Sequence, residues 1–78
     1  RYPEDARNKG IEGTVLVNFT INEDGRLASM QILESPCQSL GMEALRVLAK
    51  SPKWTPGTIN GKPVKVRYTF PIVFSISN

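Results

Sequence analysis

From Val64 to Ile76 the chain alternates almost without fault. Val64, Val66, Tyr68, Phe70, Ile72, Phe74 and Ile76 share one face, while Lys65, Arg67, Thr69, Pro71, Val73 and Ser75 share the other. A period of two held over this length means a half-buried β-strand, longer than the usual five or six residues. Pro71 constrains it further. Proline has no N–H to donate, so inside a central strand it would break the ladder; strand prolines belong on edges or at bulges. A long edge strand leaves N–H and C=O groups unpaired and open to another chain. Such an edge can also capture an extended peptide by strand addition. The pattern therefore predicts a receiving edge before any family is considered.

The rest of the chain supplies what such a strand would pack against. Arg1 to Gly10 predicts a short helix, with Pro3 at its first position, Glu4 and Asp5 at its positive end, and Gly10 closing it in a left-handed conformation. Gly13 to Asn22 is a strand with Val15, Val17, Phe19 and Ile21 on one face, and Asn22-Glu23-Asp24-Gly25 is the turn of a hairpin. Arg26 to Glu34 returns with poorer alternation. Ser35-Pro36-Cys37 breaks the strand. A helix follows over Leu40 to Lys50, with Ser39 as N-cap and Met42, Leu45 and Ala49 as its buried stripe. Ser51 to Pro63 is irregular, with a tight turn at Asn60-Gly61. The order α-β-β-α-β predicts one α+β domain over residues 1–78: an antiparallel sheet of about three strands with two helices packed on one face.

Composition excludes more chemistry than it offers. Histidine is absent and Cys37 is the single cysteine. That removes Ser-His and Cys-His nucleophiles, the common zinc sets and any internal disulfide. Glu4-Asp5 suits a helix start and Glu23-Asp24 a turn, so no catalytic or metal site and no cofactor is expected. The net charge of +3 comes from ten basic residues dispersed among seven acids, which argues against a nucleic-acid binder. Trp54 reads as a plug at the end of the core, its indole N–H bonded to a backbone carbonyl. Lys62, Lys65 and Arg67 allow two readings: a solvated strand face that discourages aggregation, or an electrostatic guide for an acidic peptide.

One family joins these features. Tyr2-Pro3, Ala6-Arg7, Gly10, Gly13, Val15-x-Val17-x-Phe19, Asp24-Gly25, Trp54-x-Pro56-Gly57, Gly61-Lys62-Pro63-Val64 and Pro71-Ile72-x-Phe74 stand in the order and approximate spacing of the TonB C-terminal domain family. The later motifs look most like the versions found in Bacteroidetes-type bacteria. Pro36-Cys37 and Thr55 depart from the pattern.

The resemblance implies a non-enzymatic periplasmic domain, tethered through a linker to an inner-membrane helix that associates with ExbB and ExbD. It implies that the domain binds the TonB box of an outer-membrane transporter as an added strand and transmits a pull that opens the transporter to iron chelates, cobalamin or glycans. Carried onto this chain, the receiving residues are Val64, Lys65, Val66, Arg67, Tyr68, Thr69, Phe70, Pro71, Ile72, Val73, Phe74 and Ser75, with further contacts from Arg1 and Tyr2. The chain opens on Arg1 without Met, so the anchor is expected upstream. Pairing of two copies through the same edge is a further expectation. The same domain also occurs on other membrane proteins, including metalloprotease-like sensors, where it would act as a peptide-binding adaptor.

Overall fold

A computed structural model describes residues 2–76. Seven elements follow in order: α1 (Glu4–Asn8), β1 (Gly13–Ile21), β2 (Leu27–Glu34), α2 (Gln38–Ala49), β3 (Gly57–Ile59), β4 (Lys62–Val64) and β5 (Val66–Phe74). β2, β1 and β5 form an antiparallel sheet in that spatial order, and β3 pairs with β4 in a second, two-stranded sheet.

β1 is central because its apolar residues can be satisfied nowhere else. Val15, Val17, Phe19 and Ile21 are buried at alternate positions, as a strand with one face on the core requires. Both helices cover that face. α1 adds Ala6, and α2 adds Leu40, Ala44 and Leu48 at intervals of four. Trp54 closes the far end. Its ring makes edge contacts with Phe19 at 5.1 Å and Phe70 at 5.2 Å. Its backbone N–H donates to Gly25 O at 2.8 Å, and among the described residues the expected indole bond does not form.

The structure corrects several expected boundaries. The strand expected over Val64–Ile76 is divided: Val64 ends β4, Lys65 lies between the elements, and β5 stops at Phe74, before Ser75. Residues 51–63, expected to be irregular, contain β3 and the start of β4, because Asn60 and Gly61 have φ of 52° and 78° and fold their flanks into a hairpin. α2 starts at Gln38 with Cys37, not Ser39, at its N-cap. Its buried stripe is Leu40-Gly41-Ala44-Leu48, while Met42 and Ala49 face solvent. The helix starts two residues, about half a turn, earlier than expected. Pro3 is the N-cap of α1 rather than its first helical residue.

The molecule is elongated, 49 × 20 × 18 Å, with a radius of gyration of 14.4 Å. A compact chain of this size would have a radius of about 11.5 Å. The β3–β4 hairpin, continuing the line of β5, accounts for the extra length.

Candidate functional site

Which backbone groups of the long strand face outward follows from two independent anchors. At one end, Asn22 donates its N–H to Arg26 O at 2.8 Å across the β1–β2 turn, so even positions of β1 turn toward β2. Both register shifts in the β1–β2 ladder place the extra residue in β2, so β1 itself keeps strict alternation. Its odd positions therefore turn toward β5 and bond Phe74, Ile72, Phe70, Tyr68 and Val66. At the other end, the two left-handed residues Asn60 and Gly61 make a two-residue turn closed by the Ile59–Lys62 pair. In such a turn the N–H of Lys62 returns to the carbonyl of Ile59. Lys62 and Val64 thus face β3.

Even positions face inward at both ends, so no change of parity occurs between Lys62 and Phe74. The side chains agree. A Cβ built on Gly57 would come within 2.6 Å of Val66 Cγ1 and 3.6 Å of Val64 Cγ2, so both valines project on one face. β1 and β3 lie end to end along one side of a single line of chain. The line spans about 40 Å at strand rise.

The opposite side carries the main-chain groups of Pro63, Lys65, Arg67, Thr69, Pro71 and Val73. Among the described residues nothing pairs with it. The β1–β5 ladder is in register throughout, one residue for one from Gly13–Phe74 to Ile21–Val66. Pro71 is therefore an edge proline and sits at no bulge. Its missing N–H falls on the outward side, where it breaks no bond to β1.

The helix-free face of the sheet is held by a polar network that sequence reasoning missed. Arg67 Nη1 donates to Thr20 Oγ1 at 2.9 Å and to the carbonyl of Ser29 at 3.1 Å, and Arg67 Nη2 donates to Asn18 Oδ1. Asn18 Nδ2 donates to Thr69 Oγ1 at 2.9 Å and to Tyr68 O at 3.3 Å. The network joins all three strands. Polar residues at alternate β1 positions were the signal, but only the register shows that Asn18 and Thr20 stand opposite Thr69 and Arg67.

The expected site residues divide accordingly. Lys65, Thr69, Pro71 and Val73 are exposed on the outward positions, with Val73 at 71% of full exposure. Arg67 is exposed too, but its guanidinium is committed to the network, which leaves Lys62 and Lys65 as the patch's remaining cations. Val66, Phe70 and Ile72 are half-buried, Phe74 is buried, and Tyr68 is 46% exposed. Where the two ladders meet, Ile21, Trp54, Pro56, Gly57, Val66 and Tyr68 line a shallow apolar depression of about 410 Å³. Tyr2 lies at the other end of β5, its ring edge-on to Phe74 at 5.7 Å and its hydroxyl donating to Ile11 O. Burial there, with Glu12 and Cys37 nearby, raises the Tyr2 hydroxyl above its ordinary pKa. Tyr2 thus serves the core. Arg1 lies outside the described residues.

Titratable groups away from the edge have local explanations. The Cys37 thiol, 3.4 Å from Ser39 Oγ, is lowered by that contact and by the backbone N–H groups of the helix start. Glu43 accepts two hydrogen bonds from Arg46, at 2.9 and 2.5 Å, which hold its carboxyl down at about 2. No group of three or more His, Cys, Asp or Glu among the described residues could hold a metal ion.

A two-layer α+β domain with one straight, unpaired sheet edge is the class that the fold and site define. Comparison with known proteins gives the family. Residues 1–76 match the model of the Gram-negative bacterial TonB protein C-terminal region, and the chain belongs to that family. It is 36% identical over 77 residues to protein TonB of Vibrio cholerae, covering 97% of this chain and 31% of that protein. It is 40% identical over 76 residues to protein TonB of Pseudomonas aeruginosa, covering 96% of this chain and 22% of that protein. The chain thus spans less than a third of the length of these relatives. Among solved structures, the solution structure of the Helicobacter pylori TonB C-terminal domain matches with a TM-score of 0.75 at 32% identity, covering 100% of this chain and 70% of that one. The Pseudomonas aeruginosa domain matches at 0.73 and 35%, covering 100% and 79%.

Proposed function

We propose that this domain is the periplasmic, receptor-engaging end of a TonB-type energy transducer. The guest is the N-terminal TonB box segment of an outer-membrane transporter, taken as an added strand along the outward side of Lys62–Phe74. The observation that carries this reading is the unbroken parity of that strand, which leaves a row of main-chain donors and acceptors facing solvent on one straight line. Family membership supplies the partner class.

The mechanism needs binding and load transfer, and no covalent step. A guest pulled along its own axis loads its ladder bonds together, in shear. Each is worth about 0.5–1.5 kcal/mol net, so affinity is modest and release after a cycle is easy. The load then passes from β5 to β1 through the paired backbone, and through Arg67 to Asn18, Thr20 and the Ser29 carbonyl of β2. In the full-length protein an inner-membrane helix working with ExbB and ExbD would supply the pull, and uptake of iron chelates or other scarce nutrients would be its outcome.

An NMR titration of the isotope-labelled domain with N-terminal peptides of such transporters tests this. Shifts concentrated at Lys65, Arg67, Thr69 and their neighbours are expected. Shifts confined to the helices or β2, or none at millimolar peptide, would overturn the reading.

A further inference from the structure

Both prolines of the long strand, Pro63 and Pro71, fall on outward positions. Between them stand the outward N–H groups of Lys65, Arg67 and Thr69, with carbonyls at all five positions. Beyond Pro71 a single outward donor remains, at Val73. A guest carbonyl arriving opposite either proline finds a ring in place of an N–H. We propose that Pro63 and Pro71 are stops that set the length and register of the guest strand, confining its continuous ladder to the window Lys65–Thr69. This rests on the strand-addition reading above and goes further, because it names the residues that decide where the guest begins and ends.

The physical reason lies in how antiparallel and parallel ladders grow. Every second residue of the edge exchanges bonds with the guest, so the three donors are met by a guest of about five residues, and a guest of about nine also reaches the carbonyls of Pro63 and Pro71 at its two ends. A longer guest meets one further donor, at Val73, and only across the gap left by Pro71. A guest just long enough for the three donors, displaced by two residues toward Val73, exchanges the Lys65 donor for a proline ring. The register that centres on Arg67 is favoured by at least one hydrogen bond over its neighbours, and that bond decides between otherwise similar backbone alignments. The same prolines explain how a straight edge of this length can face solvent, since they deny a second copy an uninterrupted ladder.

Both substitutions needed for the test are available, because Pro63 and Pro71 are exposed. Nested peptides of about five, seven, nine and eleven residues, taken from the N-terminal segment of a TonB-dependent transporter, would be titrated against the chain and against Pro71→Val and Pro63→Val, with amide exchange read in each complex. In the unsubstituted chain, affinity should rise to about nine residues and then level off. New protection should appear at Lys65, Arg67 and Thr69 and stay absent from Val73. Pro71→Val should gain about three- to tenfold for the longer peptides only, with protection now reaching position 71 and Val73. Pro63→Val should do the same at the other end. If the peptides protect Val73 in the unsubstituted chain, or if both variants keep the original length dependence, the stops are refuted while strand addition stands. If no peptide protects any outward amide in any of the three chains, strand addition itself fails, and the stops with it.

Discussion

The sheet has two edges, and they are built differently. β2, on one side, carries two register shifts against β1, and within it Ser29 adopts a left-handed φ of 52°. Such bulges twist a strand and leave its outward groups out of line, a common way of blunting an edge. β5, on the other side, keeps perfect register with β1, and its line continues through β4. One edge is spoiled as a template and the other is preserved. A domain that needed only solubility would gain by spoiling both. Preserving a single straight edge, punctuated only by two prolines, is what a strand-receiving surface requires. Arg67 ties the two together, since its guanidinium reaches from β5 to the carbonyl of Ser29 in the bulged strand.

The contrast can be attacked where it matters most by removing a central outward donor. Thr69→Pro should weaken transporter-peptide binding about tenfold or more, the loss of one bond plus a steric stop inside the window. Thr69→Val, which keeps the N–H and loses only the Asn18 contact, should bind nearly as well. Isothermal titration of the two variants separates backbone from side chain. Next in size, Arg67→Ala should lower stability by roughly 1–2 kcal/mol in urea unfolding, because it strips partners from Asn18 and Thr20. It should also make β2 amides exchange faster than β1 amides. At the bulge, Ser29→Val should cost about 1 kcal/mol, since a β-branched residue resists a positive φ, whereas Ser29→Gly should be neutral or slightly stabilising. Neither should alter peptide affinity if the bulged edge takes no part in binding.

The smallest effect concerns a group remote from both edges. The carboxyl of Glu43, held at about 2 by Arg46, lies below its unfolded value of about 4.3. The stability it contributes is present above pH about 4.3 and is lost as pH falls toward 2. Arg46 is well exposed, which limits the contribution to under about 1 kcal/mol. Glu43→Gln should show that loss at pH 7 and none near pH 2, measured by thermal unfolding across that range.

Much of this was legible in the sequence, and the failures have two physical causes. The buried faces of β1 and β5 follow from strict alternation, and the edge position of β5 follows from Pro71 alone. The two-helix cover follows from apolar spacing, although the inward stripe of α2 runs through Leu40, Ala44 and Leu48 and not through Met42, Leu45 and Ala49. The β3–β4 hairpin was missed because Gly57-Thr58-Ile59 and Lys62-Pro63-Val64 have no apolar alternation to betray them; only the left-handed Asn60-Gly61 pair makes them strands. The bulges of β2 and the reach of Arg67 were illegible for a deeper reason. Both depend on pairing between residues far apart in the chain, and one residue of slip would reverse every side chain. Pro63 and Pro71 became a matched pair only when both ladders fixed the same parity.

The central claim is that odd positions from Pro63 to Val73 present their main-chain groups to solvent while even positions are bonded inward. Residue-resolved amide hydrogen exchange of the free domain, at a concentration low enough to keep two copies apart, tests it directly. The account predicts a period of two: Lys65, Arg67, Thr69 and Val73 exchanging fast, and Val64, Val66, Tyr68, Phe70 and Ile72 protected. Uniform protection along the strand, or protection with the opposite parity, would contradict it.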